Sequence, residues 1–448
     1  MIEPFILSAK SWYSVPTMNY LSVAYIREKW QDAGFQKYFQ NTKWMFSMRI
    51  LSMLGTLAST LVVARNLGPT NFGQLNYALS FVGIFSFIVS LGVDNVLYRE
   101  LIKFPEKKKE FLGSAFVIKI ASGCTGALFL LVSAYFWAED DVSKVLIYIL
   151  SATFVLNAFQ IIGLEFQARV KSKYSSIITF LMSAVLALLN IIIVITGKGV
   201  IYLALATVAQ SLLYAACYWF IYEKKLGEKV FDWKYSFSIA LTLIKDSWPL
   251  MFSSAFALIY SEIDQVLLKH MMNAYSVGVY DSAVRVVEAW YFMPTLLVTA
   301  LFPAIINAKM TSKETYLRRL KKLYLFLFAS AVAAALGCTL FAHPIIKILY
   351  GSQFFGGVAV LQIYVWSLIG TFVGYLVANY LIAENYTKIS FFMNLIPMTV
   401  NVLLDLMWIP KYGIMGPAYA TLIAYSFSPF ILLIFRKTRM ELFEMVKI

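Results

Sequence analysis

The sequence predicts an all-α polytopic membrane protein with twelve transmembrane helices. Three observations carry this: an apolar composition, twelve apolar runs of spanning length, and Lys and Arg that alternate between the connections. Of 448 residues, 60% are hydrophobic and 14% charged, with a mean hydropathy of +0.72. Soluble domains hold about 45–50% apolar and about 25% charged residues. The composition therefore excludes a disordered chain, a secreted disulfide scaffold and a soluble enzyme.

A spanning helix needs about 20 mostly apolar residues. Twelve segments qualify: 44–64, 75–97, 111–136, 143–164, 174–196, 200–222, 247–268, 278–305, 321–342, 358–382, 388–409 and 414–435. They are continuous apolar runs rather than alternating ones, which excludes a membrane β-barrel. Ahead of them, residues 1–43 read as a cytoplasmic or interfacial arm, with no cleavable signal peptide. Residues 44–222 form an N-lobe of six segments and 247–435 a C-lobe of six. Residues 223–246 link them, with 229–246 expected as an amphipathic helix on the membrane surface. Residues 436–448 form a tail.

Orientation follows from the 38 Lys and Arg. Connections on the side of the N-terminus hold 29 of them. The opposite side holds six: Arg65, Lys144, Lys198, Lys269, Lys347 and Lys411. This bias puts both termini in the cytoplasm and supports an even number of segments. The net charge of +14 is thus a topology signal, not a nucleic-acid signature.

Three cations lie at least a turn inside segments, where charges are costly and usually face a cavity. Arg49 in segment 1 stands above a polar stripe of Ser52, Thr56, Ser59 and Thr60. Lys119 lies about 12 Å into segment 3 at 1.5 Å per residue, with no acid near it in sequence. Arg285 in segment 8 has Asp281 four residues before it and Glu288 three after, spacings that allow ion pairs with both. Segment 7 carries Glu262 and Asp264. Segment 11 carries Asn394, Asn401 and Asp405 beside Pro397. Asp264 and Asp405 fall near outer ends, where water can reach them. Asp94 and Arg99 close segment 2 as a pair or cap, and Glu139, Asp140 and Asp141 read as a solvated outer turn. Arg49, Lys119 and Arg285 suit an anionic cargo; Glu262, Asp264, Asp281, Glu288 and Asp405 suit a coupling ion. Two histidines are too few for a histidine metal site, the three cysteines all sit in apolar runs, and no Walker-type loop is present. No cofactor is expected.

The chain also repeats. LGPTNFGQLNYA at 67–78 aligns with MNAYSVGVYDSA at 272–283, ARVKSKYSS at 168–176 with AENYTKISF at 383–391, and GVIYLALAT at 199–207 with GIMGPAYAT at 413–421. The offsets are 205, 215 and 214 residues. A duplicated six-helix unit keeps parity, so the halves are related by an axis along the membrane normal, with a substrate site between them.

LVVARNLGPTNFGQLNYALSF at 61–81, LGVDNVLYREL at 91–101, SEIDQVLL at 261–268, VGVYDSAVRV at 277–286 and ILYGSQF at 348–354 resemble the polysaccharide transporter family. These are the Wzx-type O-antigen and capsule flippases of the multidrug/oligosaccharidyl-lipid/polysaccharide exporter superfamily. The resemblance covers about 41–435. It implies two pseudo-symmetric six-helix lobes of MATE-like form. The implied cargo is an oligosaccharide on undecaprenyl pyrophosphate, moved across the bacterial inner membrane by alternating access with H⁺ or Na⁺ coupling. It implies a cationic lumen at Arg49, Lys119 and Arg285, an acidic position at Asp264, and a polysaccharide polymerase and chain-length regulator as partners. The arm before segment 1 departs from the family pattern, and there is no room for the two further helices that lipid II flippases often carry. A cation-coupled multidrug exporter is the runner-up. A membrane glycosyltransferase or polymerase is disfavoured by the short outer loops.

Overall fold

The computed structural model describes residues 33–138, 140–384 and 386–440. Most of the expected arm, and the tail beyond 440, lie outside the described residues. Among these, every regular element is helical. The chain is a multi-pass membrane protein, and each of the twelve expected segments falls on a helix.

Helices α1 (33–67) and α2 (69–103) meet at Gly68, whose φ of 71° breaks the helix. Pro69 then starts α2 where a missing N–H costs nothing. A second break in α2 comes at Leu91 and Gly92, both left-handed, after which Val93–Lys103 continues. The N-terminal half is completed by α3 (Lys108–Trp137), α4 (Asp141–Ala168), α5 (Ser172–Ile195) and α6 (Val200–Leu226).

Then follow α7 (Phe237–Met271) and α8, the latter made of Ala274–Glu288, a tight turn at Ala289–Tyr291, and Phe292–Thr311. Next are α9 (Lys313–Leu340) and a short helix, Ala342–Leu349. Helix α10 bends by 41° between Gly357–Tyr364 and Ser367–Ala383. Helices α11 (Thr387–Tyr412) and α12 (Met415–Leu433) close the chain. Among the described residues, nine stretches are long and apolar enough to cross a membrane, ten with the bent α10. The first stretch, Phe46–Lys103, holds both α1 and α2. Helix α7 falls short on apolarity because Lys245, Asp246, Glu262, Asp264 and Lys269 interrupt it.

The linker differs from expectation. No separate surface helix covers 229–246. Helix α6 stops at Gly227, whose left-handed φ of 67° caps it. Val230–Asp232 makes one tight turn, and α7 begins directly at Phe237. The stretch between is held to α3. The Lys234 amide donates to the Lys109 carbonyl at 3.0 Å, and the Ser236 amide to Ser114 Oγ at 3.0 Å. A Cβ on Gly113 would stand 2.4 Å from the Lys234 carbonyl oxygen, so the close approach needs glycine there.

Within the first half, α1 and α2 pack on α5, α3 on α4, and α4 and α5 on α6. In the second, α7 packs on α11, α11 on α12, α8 and α9 on α10, and α10 on α12. The halves meet where the α1–α2 stretch packs on α7 and the first part of α8, with Gly73, Gly83 and Gly92 of α2 at the contact. Here the repeat becomes geometry. A Cβ on Gly73 would stand 1.8 Å from the Ala274 carbonyl oxygen, and one on Gly278 2.0 Å from that of Pro69. Pro69 and Ala274 are equivalent in the 205-residue repeat, and so are Gly73 and Gly278. The contact is reciprocal, as a two-fold axis between α2 and α8 requires.

We call the face where α1 starts the inner face. On the outer face, the halves are tied by several polar contacts. Lys269 Nζ stands 2.7 Å from Asp140 Oδ2 of the first half, where Gln74 Nε2 also donates to Asp140 Oδ1 at 3.3 Å from within that half. The Arg65 guanidinium donates to the carbonyls of Ile348 and Leu349, capping the C-terminal end of the short helix. Gln353 returns a bond to the Arg65 carbonyl at 2.8 Å. Asp140, expected to be merely solvated, also caps α4 by accepting from the Ser143 amide at 2.8 Å. Toward the inner face, Gly92 lies against Ser247 and Met251 of α7, and Arg99 pairs with Asp246 at 2.8 Å. The inner part of α8, Phe292–Thr311, packs instead on α9 and α10.

Candidate functional site

The polar residues of the second half gather in two neighbouring clusters. The first is buried between α7, α8, α11 and α12. Asp264 is 5% exposed and Asp405 fully buried, so neither is the solvated end group expected from sequence. The reason is packing: α7 and α11 lie together along this stretch, with Asn394 donating to Ser253 Oγ at 3.2 Å. Asp264 Oδ2 accepts from the Tyr280 hydroxyl and from Thr421 Oγ1 at 2.9 Å. Asn401 Nδ2 donates to Thr421 Oγ1 at 3.2 Å, and Asp405 lies beside Asp264. Among the described residues, Asp264 Oδ1, both Asp405 carboxylate oxygens and Asn401 Oδ1 have no hydrogen-bond donor. Two buried carboxylates with unmet oxygens call for a cation or a proton between them. An all-oxygen set of carboxylates, amide and hydroxyl fits a small hard cation.

The second cluster faces the other half of the molecule. Arg285 Nε donates to Asp281 Oδ2 at 3.2 Å and Nη1 to Glu288 Oε2 at 3.0 Å, as the spacing predicts. Asp281 is fully buried, whereas the Arg285 side chain keeps 34% of its surface. Glu262 reaches across from α7 to α2, with its Cγ 3.5 Å from where a Gly83 Cβ would stand, and near Ser80. Three carboxylates thus surround one guanidinium.

The three sequence-predicted cations do not share one chemistry. Lys119 is buried on α3, and Asp94 of α2 stands 2.8 Å from its ammonium. No acid is near Lys119 in sequence, and its partner comes from another helix. Arg49 is exposed on α1. Tyr280 and Thr421 escaped the sequence reading because uncharged residues in apolar helices carry no signal of their own. The clue was their place in repeated stretches, Tyr280 in MNAYSVGVYDSA and Thr421 in GIMGPAYAT. A cavity of about 530 Å³ between α8 and α9, edged by Trp290, Gly337 and Phe341, has an apolar lining and holds none of these groups.

Residues 38–309 match the model of the family described as polysaccharide biosynthesis protein. The chain belongs to that family. Residues 232–448 also match the model of the lipid II flippase MurJ. The capsular polysaccharide biosynthesis protein CapF of Staphylococcus aureus is 20% identical over 401 residues, covering 88% of this chain and 97% of that protein. Among solved structures, the lipid II flippase MurJ in an inward closed conformation superposes with a TM-score of 0.70. It is 18% identical, with 87% of this chain and 86% of that one covered. An inward-facing multidrug resistance MATE transporter superposes with a TM-score of 0.69 at 15% identity, covering 90% and 98%. The chain thus joins membership of the polysaccharide biosynthesis family to the fold of the MATE and MurJ structures.

Proposed function

We propose that the protein moves an undecaprenyl-pyrophosphate-linked oligosaccharide, an O-antigen or capsule repeat unit, across the bacterial inner membrane. In this reading both termini are cytoplasmic, and the cargo crosses between lobes 44–222 and 247–435 by alternating access. The observation that carries it is Arg285, a half-shielded guanidinium on the lobe-facing side of α8, held by Asp281 and Glu288. A cargo pyrophosphate would displace Glu288 and take up the guanidinium's free donors. Arg49 supplies a second, exposed cation on α1. Lys119, paired with Asp94, contributes only when that pair opens.

The coupling ion, Na⁺ or H⁺, belongs at Asp264 and Asp405, with Asn401 and Thr421 completing the oxygen set. When bound there it offsets one of the two buried negative charges. Its driving force is the membrane potential, worth about 2.3 kcal/mol per charge per 100 mV. Such an ion shifts the lobes only through unequal affinity for the two states. A polysaccharide polymerase and a chain-length regulator are the partners such a cargo needs.

Charge reversal at Arg285 should abolish surface polysaccharide in the producing cell while leaving the protein's level intact. Normal export by Arg285→Glu would overturn the reading. The three carboxylates around Arg285 favour one alternative, a cation-coupled multidrug exporter. Drug susceptibility of a deletion strain separates the two: unchanged susceptibility, with lipid-linked repeat units accumulating on the cytoplasmic side, supports the flippase.

A further inference from the structure

The two clusters are joined by one rigid element. Tyr280 and Arg285 lie on the same uninterrupted helical segment, Ala274–Glu288, which ends at the tight turn Ala289–Tyr291. The Tyr280 side chain is fully buried, and its hydroxyl donates to Asp264 Oδ2 on α7. Its ring is braced edge-on by Tyr364, with centroids 6.0 Å apart. The next residue, Asp281, holds Arg285 Nε. A buried ring in a packed core cannot shift alone, because interiors are close-packed and their elements move between discrete arrangements. A change at the Asp264 carboxylate that releases or tightens the Tyr280 hydroxyl therefore moves Asp281, and with it the guanidinium. Thr421 bonds the same carboxylate oxygen, but from α12, which carries no part of the Arg285 cluster.

We propose that Tyr280 is a positioning residue through which cation occupancy at Asp264 and Asp405 sets the anion affinity of Arg285. The inference rests on the ion-coupled reading above and adds to it the residue that does the coupling. A cation on Asp264 competes for the oxygen that Tyr280 holds, so the segment settles with Arg285 drawn away from Glu262, the acid of its cluster that stands on another helix, and more open to a pyrophosphate. Linkage then requires the anion to tighten cation binding by the same factor.

The test uses the full chain in lipid nanodiscs. Farnesyl pyrophosphate binding is titrated in sodium chloride and in choline chloride at equal ionic strength, and sodium binding is titrated with and without farnesyl pyrophosphate. In the wild type, sodium should tighten farnesyl pyrophosphate binding at least about fivefold, the lower end of ordinary coupling. Tyr280→Phe keeps the ring and removes the hydroxyl. It should still bind both ligands, with the sodium factor reduced to below about twofold, what remains being through-space attraction. Thr421→Val should weaken sodium binding yet keep the full factor once sodium saturates.

An undiminished factor in Tyr280→Phe overturns the inference, as does an equal loss in Thr421→Val at saturating sodium. Should Tyr280→Phe fail to purify, Asp281→Asn breaks the chain at its other end. It should keep sodium affinity and lose sodium's effect on the anion; retention of that effect overturns the inference equally. A wild type that binds both ligands without linkage removes the inference and leaves the two sites standing. A wild type that binds neither removes the functional reading itself.

Discussion

The two halves of the molecule share one architecture and differ in chemistry. Carried through the 205- and 214-residue offsets, the polar positions of the second half meet uncharged residues in the first. Asp264 corresponds to Ser59, Tyr280 to Leu75, Asp281 to Asn76, Arg285 to Ser80 and Glu288 to Gly83. Asn401 corresponds to Ala187 and Asp405 to Ile191, and only Thr421 keeps its counterpart, Thr207. Even the contact survives in muted form: Ser59 Oγ donates to the Ala187 carbonyl at 3.3 Å where Asp264 and Asn401 share Thr421. Duplication supplied two equal bundles, and charge was concentrated in one. Its other lobe offers small neutral residues, Ser80 and Gly83, against which Glu262 rests. The second lobe holds the buried carboxylates and Arg285, while the first faces Glu262 with small neutral residues.

The comparison can be broken most severely where the halves agree. Gly73 and Gly278 touch across the axis, and a side chain at either collides with backbone. Gly278→Val should therefore abolish transport. It should also prevent disulfide crosslinking between cysteines placed at Gln74 and Lys269, which reports closure of the outer ends. Full transport by that variant would show that the outer ends need not close.

Where the halves differ, paired substitutions should diverge. Asp405→Asn should lower transport by roughly tenfold or more, as for other intramembrane carboxylates with function, whereas Ile191→Val at the equivalent place should leave it unchanged. Arg285→Gln should lose transport and also melting temperature, because buried Asp281 is left without its counter-ion; Ser80→Ala should do neither. Equal effects within either pair would mean the lobes share the ionic work.

The smallest effect belongs to the outer tie. Burial alone would raise the Asp140 carboxyl, but the Lys269 ammonium and the Ser143 amide and hydroxyl hold it below the usual carboxylate range. A depressed folded value stabilises above the unfolded value, about 3.9, and this stabilisation is lost as pH falls through the folded value. The wild type should thus lose outer-face stability only below about pH 4. Asp140→Ala, which also removes the α4 cap, should cost about 1 kcal/mol at neutral pH and flatten that acid dependence. Melting curves across pH measure both.

Much of this was legible in the residues. Apolar runs of spanning length are one-dimensional features, since lipid demands the same run whatever the neighbours, and all twelve segments fall on helices. The Asp281–Arg285–Glu288 group was readable because helical spacing alone brings its members together. The partner of Lys119 was not legible, because Asp94 comes from another helix. Asp264 and Asp405 were placed near water, because depth along a helix does not say which face packs inward. The linker misled for a local reason: its mixed apolar and basic pattern suits a surface helix, but Gly113 and Ser114 of α3 hold 234–236 extended.

By itself, the sequence determined that the chain lives in lipid and where its long apolar helices fall. Each of these follows from composition, period and spacing, which need no third dimension. Only the tertiary structure decided which charges meet. Asp264 finds Asp405 and Tyr280, Lys119 finds Asp94, and Asp140 finds Lys269 across the lobes. These partners lie on different helices, and the low dielectric between helices makes each charge's role depend on its neighbour.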